Sequence, residues 1–224
     1  PDLAVDISNR MGEWEALIKR THHAGLKVIM DFVPNHVARE YKSVCLPVGE
    51  ENLTDDNFCL VDGEVHIGSY SERPAKATGN NVFNCHPTST DWFETVKLNY
   101  DHRDTWEKMT HILLFWAAKG VDAFRCDMTE LVPTDFWCYA TKTVKDACPH
   151  VVFIGEVYQP SLYREYIRSG FDYLYDKVGM YDAMRDVICH RRPTETITWA
   201  WQQTDDIRQH MLYFLENHDE QRIA

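Results

Sequence analysis

Leu26-Lys27-Val28-Ile29-Met30-Asp31-Phe32-Val33 is a nearly continuous apolar, β-branched run with Lys27 near its start and Asp31 near its end. That composition predicts a strand covered on both faces. Just before it, Trp14, Leu17, Ile18 and Thr21 recur at helical spacing between Gly12 and Ala24, and Gly25 supplies a helix stop. Working outward, the same alternation repeats. A helix from Thr105 to Lys119 precedes a strand from Val121 to Arg125, and a helix from Thr134 to Ala147 precedes Val151 to Gly155. A helix from Ser161 to Ser169 precedes Phe171 to Tyr175, and helical segments between Val178 and Arg208 precede a last strand from Met211 to Leu215. Five strands alternating with helices predict an α/β fold with parallel pairing through right-handed crossovers. On this pattern alone, a barrel and an open sheet both fit.

Between Asn35 and about Asp104 the rhythm breaks into a polar stretch rich in Asn, Asp, Thr, Gly and Pro, with a hairpin signal from Val61 to Ile67 at Asp62 and Gly63. A structureless loop of that length is unusual inside a compact domain, so residues 37–104 are expected to form an inserted subdomain. Residues 1–36 and 105–224 then make up the α/β part. Tyr70, Phe83, Trp92 and Phe93 are candidates to line or support one wall of a cleft beside it.

Composition narrows the function classes. Hydrophobic residues at 44% and charged residues at 26% of 224 positions suit a globular chain large enough to build a core without disulfides or a structural metal. The net charge of -12 repels phosphate backbones and anionic membrane surfaces, so neither nucleic acid nor membrane is an expected partner. No run of about 18 apolar residues is present for a membrane span. Seven Cys without a C-x-x-C pair point to reduced thiols, which lean towards the cytoplasm. The location stays open, because the chain starts without Met and both ends look cut. Seven Trp, 11 Tyr and 10 Phe provide flat faces on which sugars or bases can stack.

Polar residues gather at the C-terminal ends of the expected strands: Asp31, Asn35 and His36, then Arg125 and Asp127, then Glu156, then Asn217, His218 and Asp219. In parallel α/β folds that is the ligand-binding end. Arg125 and Asp127 are two apart, so on an extended segment they point to the same side, and the guanidinium favours the charged carboxylate. That suits a nucleophile. Glu156 follows the apolar run Val151 to Gly155, whose glycine permits close backbone approach, and a carboxyl among apolar walls holds its proton more tightly. That suits a proton donor. Two carboxylates in different electrostatic environments are what glycoside cleavage needs.

Four segments carry a family resemblance. Asp31-Phe32-Val33-Pro34-Asn35-His36, Gly120-Val121-Asp122-Ala123-Phe124-Arg125-Cys126-Asp127, Phe153-Ile154-Gly155-Glu156-Val157 and Phe214-Leu215-Glu216-Asn217-His218-Asp219 resemble, in order and spacing, the four sequence regions of the alpha-amylase family, glycoside hydrolase family 13. The resemblance implies part of a (β/α)8 TIM barrel, about strands 3 to 7, with a domain B-like excursion after the third strand. It makes Asp127 the nucleophile, Glu156 the general acid and base, and Asp219 the carboxylate that stabilises the transition state. Arg125, His36 and His218 would hydrogen-bond the sugar and its neighbours. The implied activity is retaining hydrolysis of α-1,4-glucans or malto-oligosaccharides, with transglycosylation or noncatalytic sugar binding as alternatives. A phosphate-binding enzyme lacks its glycine-rich loop here.

The departures from the family pattern also carry expectations. Many members have Lys and His three and four positions after the nucleophile, where this chain has Glu130 and Leu131. Asn35 is a candidate calcium ligand, but Lys97 stands where an acidic ligand often sits, and a cation there opposes Ca²⁺. No cofactor is expected to be required. The first two strands and the eighth find no counterpart. The stretch is therefore expected to be an excerpt of a longer enzyme, inactive or poorly soluble alone because five strands cannot close the barrel.

Overall fold

The computed structural model describes residues 6–38 and 95–220. The first helix, α1 (Ile7–His23), begins ahead of the stretch its apolar spacing marks, because the Asp6 side chain accepts the Ser8 N–H at 2.9 Å and caps it. There follow β1 (Ile29–Phe32), β2 (His36–Ala38), β3 (Thr95–Lys97), α2 (Arg103–Ala118), β4 (Ala123–Cys126), α3 (Thr134–Ala147) and β5 (Val152–Gly155). The chain continues through α4 (Tyr163–Arg168), β6 (Tyr173–Tyr175), α5 (Asp182–Ile188), α6 (Glu195–Gln203) and β7 (Met211–Leu212). No helix among the described residues is long and apolar enough to cross a membrane.

Five of the strands form one parallel sheet in the order β1-β4-β5-β6-β7. That order decides between the two expected architectures. An open doubly wound sheet reverses its strand order at a switch point, whereas a barrel adds each strand beside the last, as here. The strands β2 and β3 pair antiparallel with each other in a separate two-stranded sheet. The inserted-subdomain expectation otherwise falls on residues 39–94, outside the described residues, as do the Val61 to Ile67 hairpin and Tyr70, Phe83, Trp92 and Phe93.

Alternation along the strands separates two faces. Phe32, Phe124, Cys126, Phe153, Leu174 and Met211 pack with Ile18, Met109, Leu113, Phe136 and Trp137 from the helices in one core. Asp31, Arg125 and Ile154 are register partners on the other face. Gly155 belongs to the core face, where a Cβ would lie 2.8 Å from Leu174 Cδ2 and 3.0 Å from the Phe171 ring. Only glycine lets those side chains close over the strand end.

Within this chain the first strand is covered on one face. Phe32 is 6% exposed, but Ile29 is 55% exposed and Asp31 also faces solvent. The reason is topological: β1 is an edge of the sheet among the described residues, and the helices cover only the core face. The last strand is likewise shorter than its apolar run, because its ladder with β6 extends only over Leu174 to Met211 and Tyr175 to Leu212.

At the opposite end of the sheet from the polar clusters, Asp122 ties β4 to the start of β1. Its carboxylate accepts the Val28 N–H at 2.8 Å and contacts Lys27 Nζ at 2.9 Å and His22 Nε2 at 2.7 Å. Burial alone would raise its pKa, but the Val28 N–H, Lys27 and His22 together outweigh burial and hold it down at about 2. A depressed folded-state pKa contributes stability that is present above the unfolded value of about 3.9 and lost as pH falls through the folded value. Asp122→Asn should therefore cost about 2 kcal/mol at neutral pH, with the difference from the parent shrinking between about pH 4 and pH 2. Urea unfolding at pH 7 and pH 2.5 measures it, and a pH-independent difference would assign the loss to packing instead.

Candidate active site

Register places the two central carboxylates. Cys126 and Gly155 are the last ladder partners of β4 and β5, so their successors Asp127 and Glu156 leave adjacent strands at the same level. Both are held there by backbone bonds: Asp127 N–H donates to Phe32 O at 2.9 Å and Glu156 N–H donates to Cys126 O at 3.1 Å. Arg125, 7% exposed, stands between them. Its Nη1 donates to Asp127 Oδ1 at 2.6 Å and to Asp31 Oδ1 at 3.0 Å. Its Nη2 approaches Glu156 Oε1 at 3.0 Å, close enough for an ion pair though not aligned as a hydrogen bond. Tyr175, at the end of β6, lies beneath the guanidinium, with its ring centroid 5.7 Å from Cζ. Burial would lower the Arg125 pKa, but Glu156, Asp127 and Asp31 outweigh it and hold the side chain firmly charged.

Glu156 is 7% exposed and fully engaged. The Met128 N–H donates to Oε2 at 2.8 Å and Tyr158 Oη donates to Oε1 at 3.0 Å. Met128 reaches that position from the left-handed region, at φ 44°, a conformation that a non-glycine residue occupies at a cost of about 1 kcal/mol. The turn is secured behind it. Thr129 Oγ1 donates to Cys126 O at 2.7 Å and accepts the Glu156 N–H at 3.1 Å, while Trp137 Nε1 of α3 donates to Thr129 O at 3.1 Å. Burial raises the Glu156 pKa, and the negative charge of Asp127 adds to it. The Met128 N–H, Arg125 and Tyr158 pull the other way without reversing the shift. The direction is the one expected of a carboxyl emerging from an apolar strand.

The remaining candidates lie further out. Asp219 and His218 sit on the exposed loop after β7, 3.2 Å apart between His218 Nε2 and Asp219 Oδ2. Asn217 Oδ1 accepts the N–H groups of Asp219 and Glu220, each at 2.9 Å, and Lys177 and Arg185 grip Glu220 at 3.1 and 3.4 Å. The charge of Asp219 reaches Tyr158 and helps raise the pKa of that phenol, behind burial and Glu156. His36 begins β2, with Nδ1 3.3 Å from Asn35 Nδ2. Sequence reasoning missed Tyr158 and the Met128 N–H. Tyr158 was findable, since it is two residues beyond Glu156 on extended chain; the Met128 turn was not.

Asn35 is buried, and its Oδ1 has no hydrogen-bond partner among the described residues, which suits an oxygen ligand for a hard cation. The rest of the surroundings fit poorly. Lys97 is buried as the register partner of His36, and no group of three or more His, Cys, Asp or Glu among the described residues could hold a metal. The described residues do not make a calcium site.

Comparison with known proteins bears on the fold and the family. The family described as alpha amylase, catalytic domain, matches residues 9–224. The chain belongs to the alpha-amylase family. A crystal structure of an alpha-amylase from Lactobacillus plantarum superposes with a TM-score of 0.71 at 26% identity, covering 95% of this chain and 47% of that one. Alpha-amylase 3 of Dictyoglomus thermophilum is 28% identical over 183 residues, 75% of this chain and 35% of its own length. An amino acid transporter heavy chain of Homo sapiens is 25% identical over 193 residues, 80% of this chain and 26% of its own length. The chain thus spans about a third of the first of these curated relatives and less than half of the similar crystal structure. Its five-stranded sheet is an arc of the alpha-amylase (β/α) barrel.

Proposed function

We propose that the protein containing this chain is a retaining glycosidase that cleaves α-1,4-linked glucans or malto-oligosaccharides through a covalent glycosyl-enzyme intermediate. The observation that carries this reading is the Cys126 to Gly155 register, which sets Asp127 and Glu156 side by side on neighbouring strands. Strands in a sheet are about 4.8 Å apart, close to the separation of about 5 to 5.5 Å that retaining enzymes use. Inverting enzymes need a wider gap to admit water between carboxylate and sugar.

In this mechanism Asp127 attacks the anomeric carbon while Glu156 passes its proton to the departing glycosidic oxygen. Bond formation removes the negative charge of Asp127, one of the causes that hold the Glu156 pKa up. Glu156 then becomes the stronger acid and stays ionised, ready to take a proton from the incoming water or sugar hydroxyl. The same carboxyl serves as acid in one half and base in the other because its neighbour's charge changes between them. Asp219 is assigned the stabilising of positive charge on the ring, and Arg125, His36 and His218 are assigned contacts to the sugar. Whether water or a second sugar accepts the glucosyl group depends on the acceptor side, where Glu130 and Leu131 replace the usual Lys and His.

A family that also contains a protein named for amino acid transport does not by membership alone require catalysis. The paired carboxylates favour the enzyme. Proton NMR of maltotriose turning over with the full-length protein should show the α-anomer as the first product, and the β-anomer appearing first would overturn retention. Products from starch, cyclodextrin and trehalose then separate hydrolysis from transfer. In the same assay kcat/KM should fall on the alkaline side as Glu156 loses its proton, at a pH above the ordinary glutamate range.

A further inference from the structure

Glu130 departs from the family pattern, and its carboxylate is committed to the neighbouring loop. A single oxygen, Oε2, accepts the N–H groups of both Tyr158 and Gln159 at 3.0 Å each. Those two amides belong to the segment that leaves β5 immediately after Glu156. Tyr158 is 38% exposed and has Lys177 Nζ 5.8 Å from its ring centroid, so packing alone does not lock it. Its hydroxyl nevertheless donates to Glu156 Oε1, the oxygen that also faces Arg125. Glu130 follows the Met128 turn whose N–H holds the other oxygen, Oε2. One short turn therefore grips the acid twice, directly through Met128 and indirectly through Glu130 and Tyr158.

We propose that Glu130 is a positioning residue for proton donation: by clamping the Tyr158 and Gln159 amides it holds the Tyr158 hydroxyl on Glu156 Oε1 and aims the carboxyl at the leaving oxygen. This rests on Glu156 being the general acid. It also accounts for the departure at this position. A carboxylate whose oxygen accepts two backbone amides orders the chain's own loop, which a lysine, having donors and no acceptor, could not do at the same place.

A defect in aiming the acid should matter only when the leaving group needs a proton. In the full-length protein, Tyr158→Phe and Glu130→Ala should each lower kcat on maltotriose about tenfold, the size of one hydrogen bond to a charged group, with KM little changed. On α-maltosyl fluoride, whose leaving group departs without protonation, the loss should shrink to about twofold or less. The double variant should be no worse than either single one, because both break the same connection. Glu130→Gln keeps an acceptor oxygen and should recover most of the activity. Should the alanine variant fail to fold, Glu130→Asp, which withdraws the carboxylate by one methylene, makes the same comparison. Equal losses on both substrates, additive losses in the double variant, or a glutamine variant as poor as alanine would each overturn the proposal. Glu156→Gln separates the two levels of inference. If it is crippled on maltotriose while Glu130→Ala is not, only the positioning role falls. If Glu156→Gln is itself silent, the assignment of the acid falls, and the positioning role with it.

Discussion

Asp127→Asn in the full-length protein should lower turnover on maltotriose by on the order of 10⁴-fold or more while leaving sugar binding within a few fold of the parent. The substitution preserves shape and can still accept the Arg125 Nη1 bond made by Oδ1 at 2.6 Å, so the local structure should hold. What it removes is the negative oxygen proposed to attack the anomeric carbon. An amide is a poor nucleophile, and among the described residues the carboxylate that shares the level set by the Cys126 to Gly155 register is Glu156, proposed as the acid. The kcat and KM of the variant, with Kd for maltotriose by calorimetry, separate loss of chemistry from loss of binding. Turnover within tenfold of the parent would place the nucleophile elsewhere. External azide offers a second reading: a small anion in the space left by the attacking oxygen should restore some turnover and give a β-configured glycosyl azide.

Several features of this site were legible from residue order alone, for physical reasons that differ from one to the next. Arg125 and Asp127 share a face because extended chain has a period of two, and the 2.6 Å contact follows from that period. Glu156 could be read as a proton donor because an apolar strand leads into it, and burial is the first cause of its raised pKa. The parallel sheet was legible from the alternation of helices and strands. Its sequential order was not, since periodicity says nothing about which strands are neighbours; the family resemblance supplied that. The contacts of Glu130 depend on Met128 adopting a left-handed conformation, which a methionine does not advertise. Nor does an apolar run reveal that, among the described residues, β1 pairs along one side only, where Ile29 is exposed. Periodicity reports which side a residue takes, and only pairing reports what lies beyond it.

Arg125 is the residue whose loss should damage both fold and chemistry. One guanidinium, with its side chain 8% exposed, holds Asp31, Asp127 and Glu156 at 3.0, 2.6 and 3.0 Å. Removing one partner of a buried ion cluster leaves the others uncompensated, which typically costs about 3 to 5 kcal/mol. Because Asp31 faces solvent, part of that penalty is relieved by water, and Arg125→Met is expected at the lower end of this range. The catalytic effect should be larger. Without the cation, Asp127 and Glu156 confront each other across adjacent strands with no positive charge between them. Turnover should fall on the order of 10³-fold. Arg125→Lys distinguishes charge from geometry. A lysine restores one positive charge but has a single nitrogen, and cannot take Asp127 on one tine of a fork and Glu156 on the other. It should therefore recover most of the stability and little of the turnover. Urea unfolding beside kcat on maltotriose makes the comparison: a lysine variant that turns over like the parent would reduce Arg125 to a source of charge. One that is fully stable yet inactive would mean that the fork itself sets the carboxylate spacing.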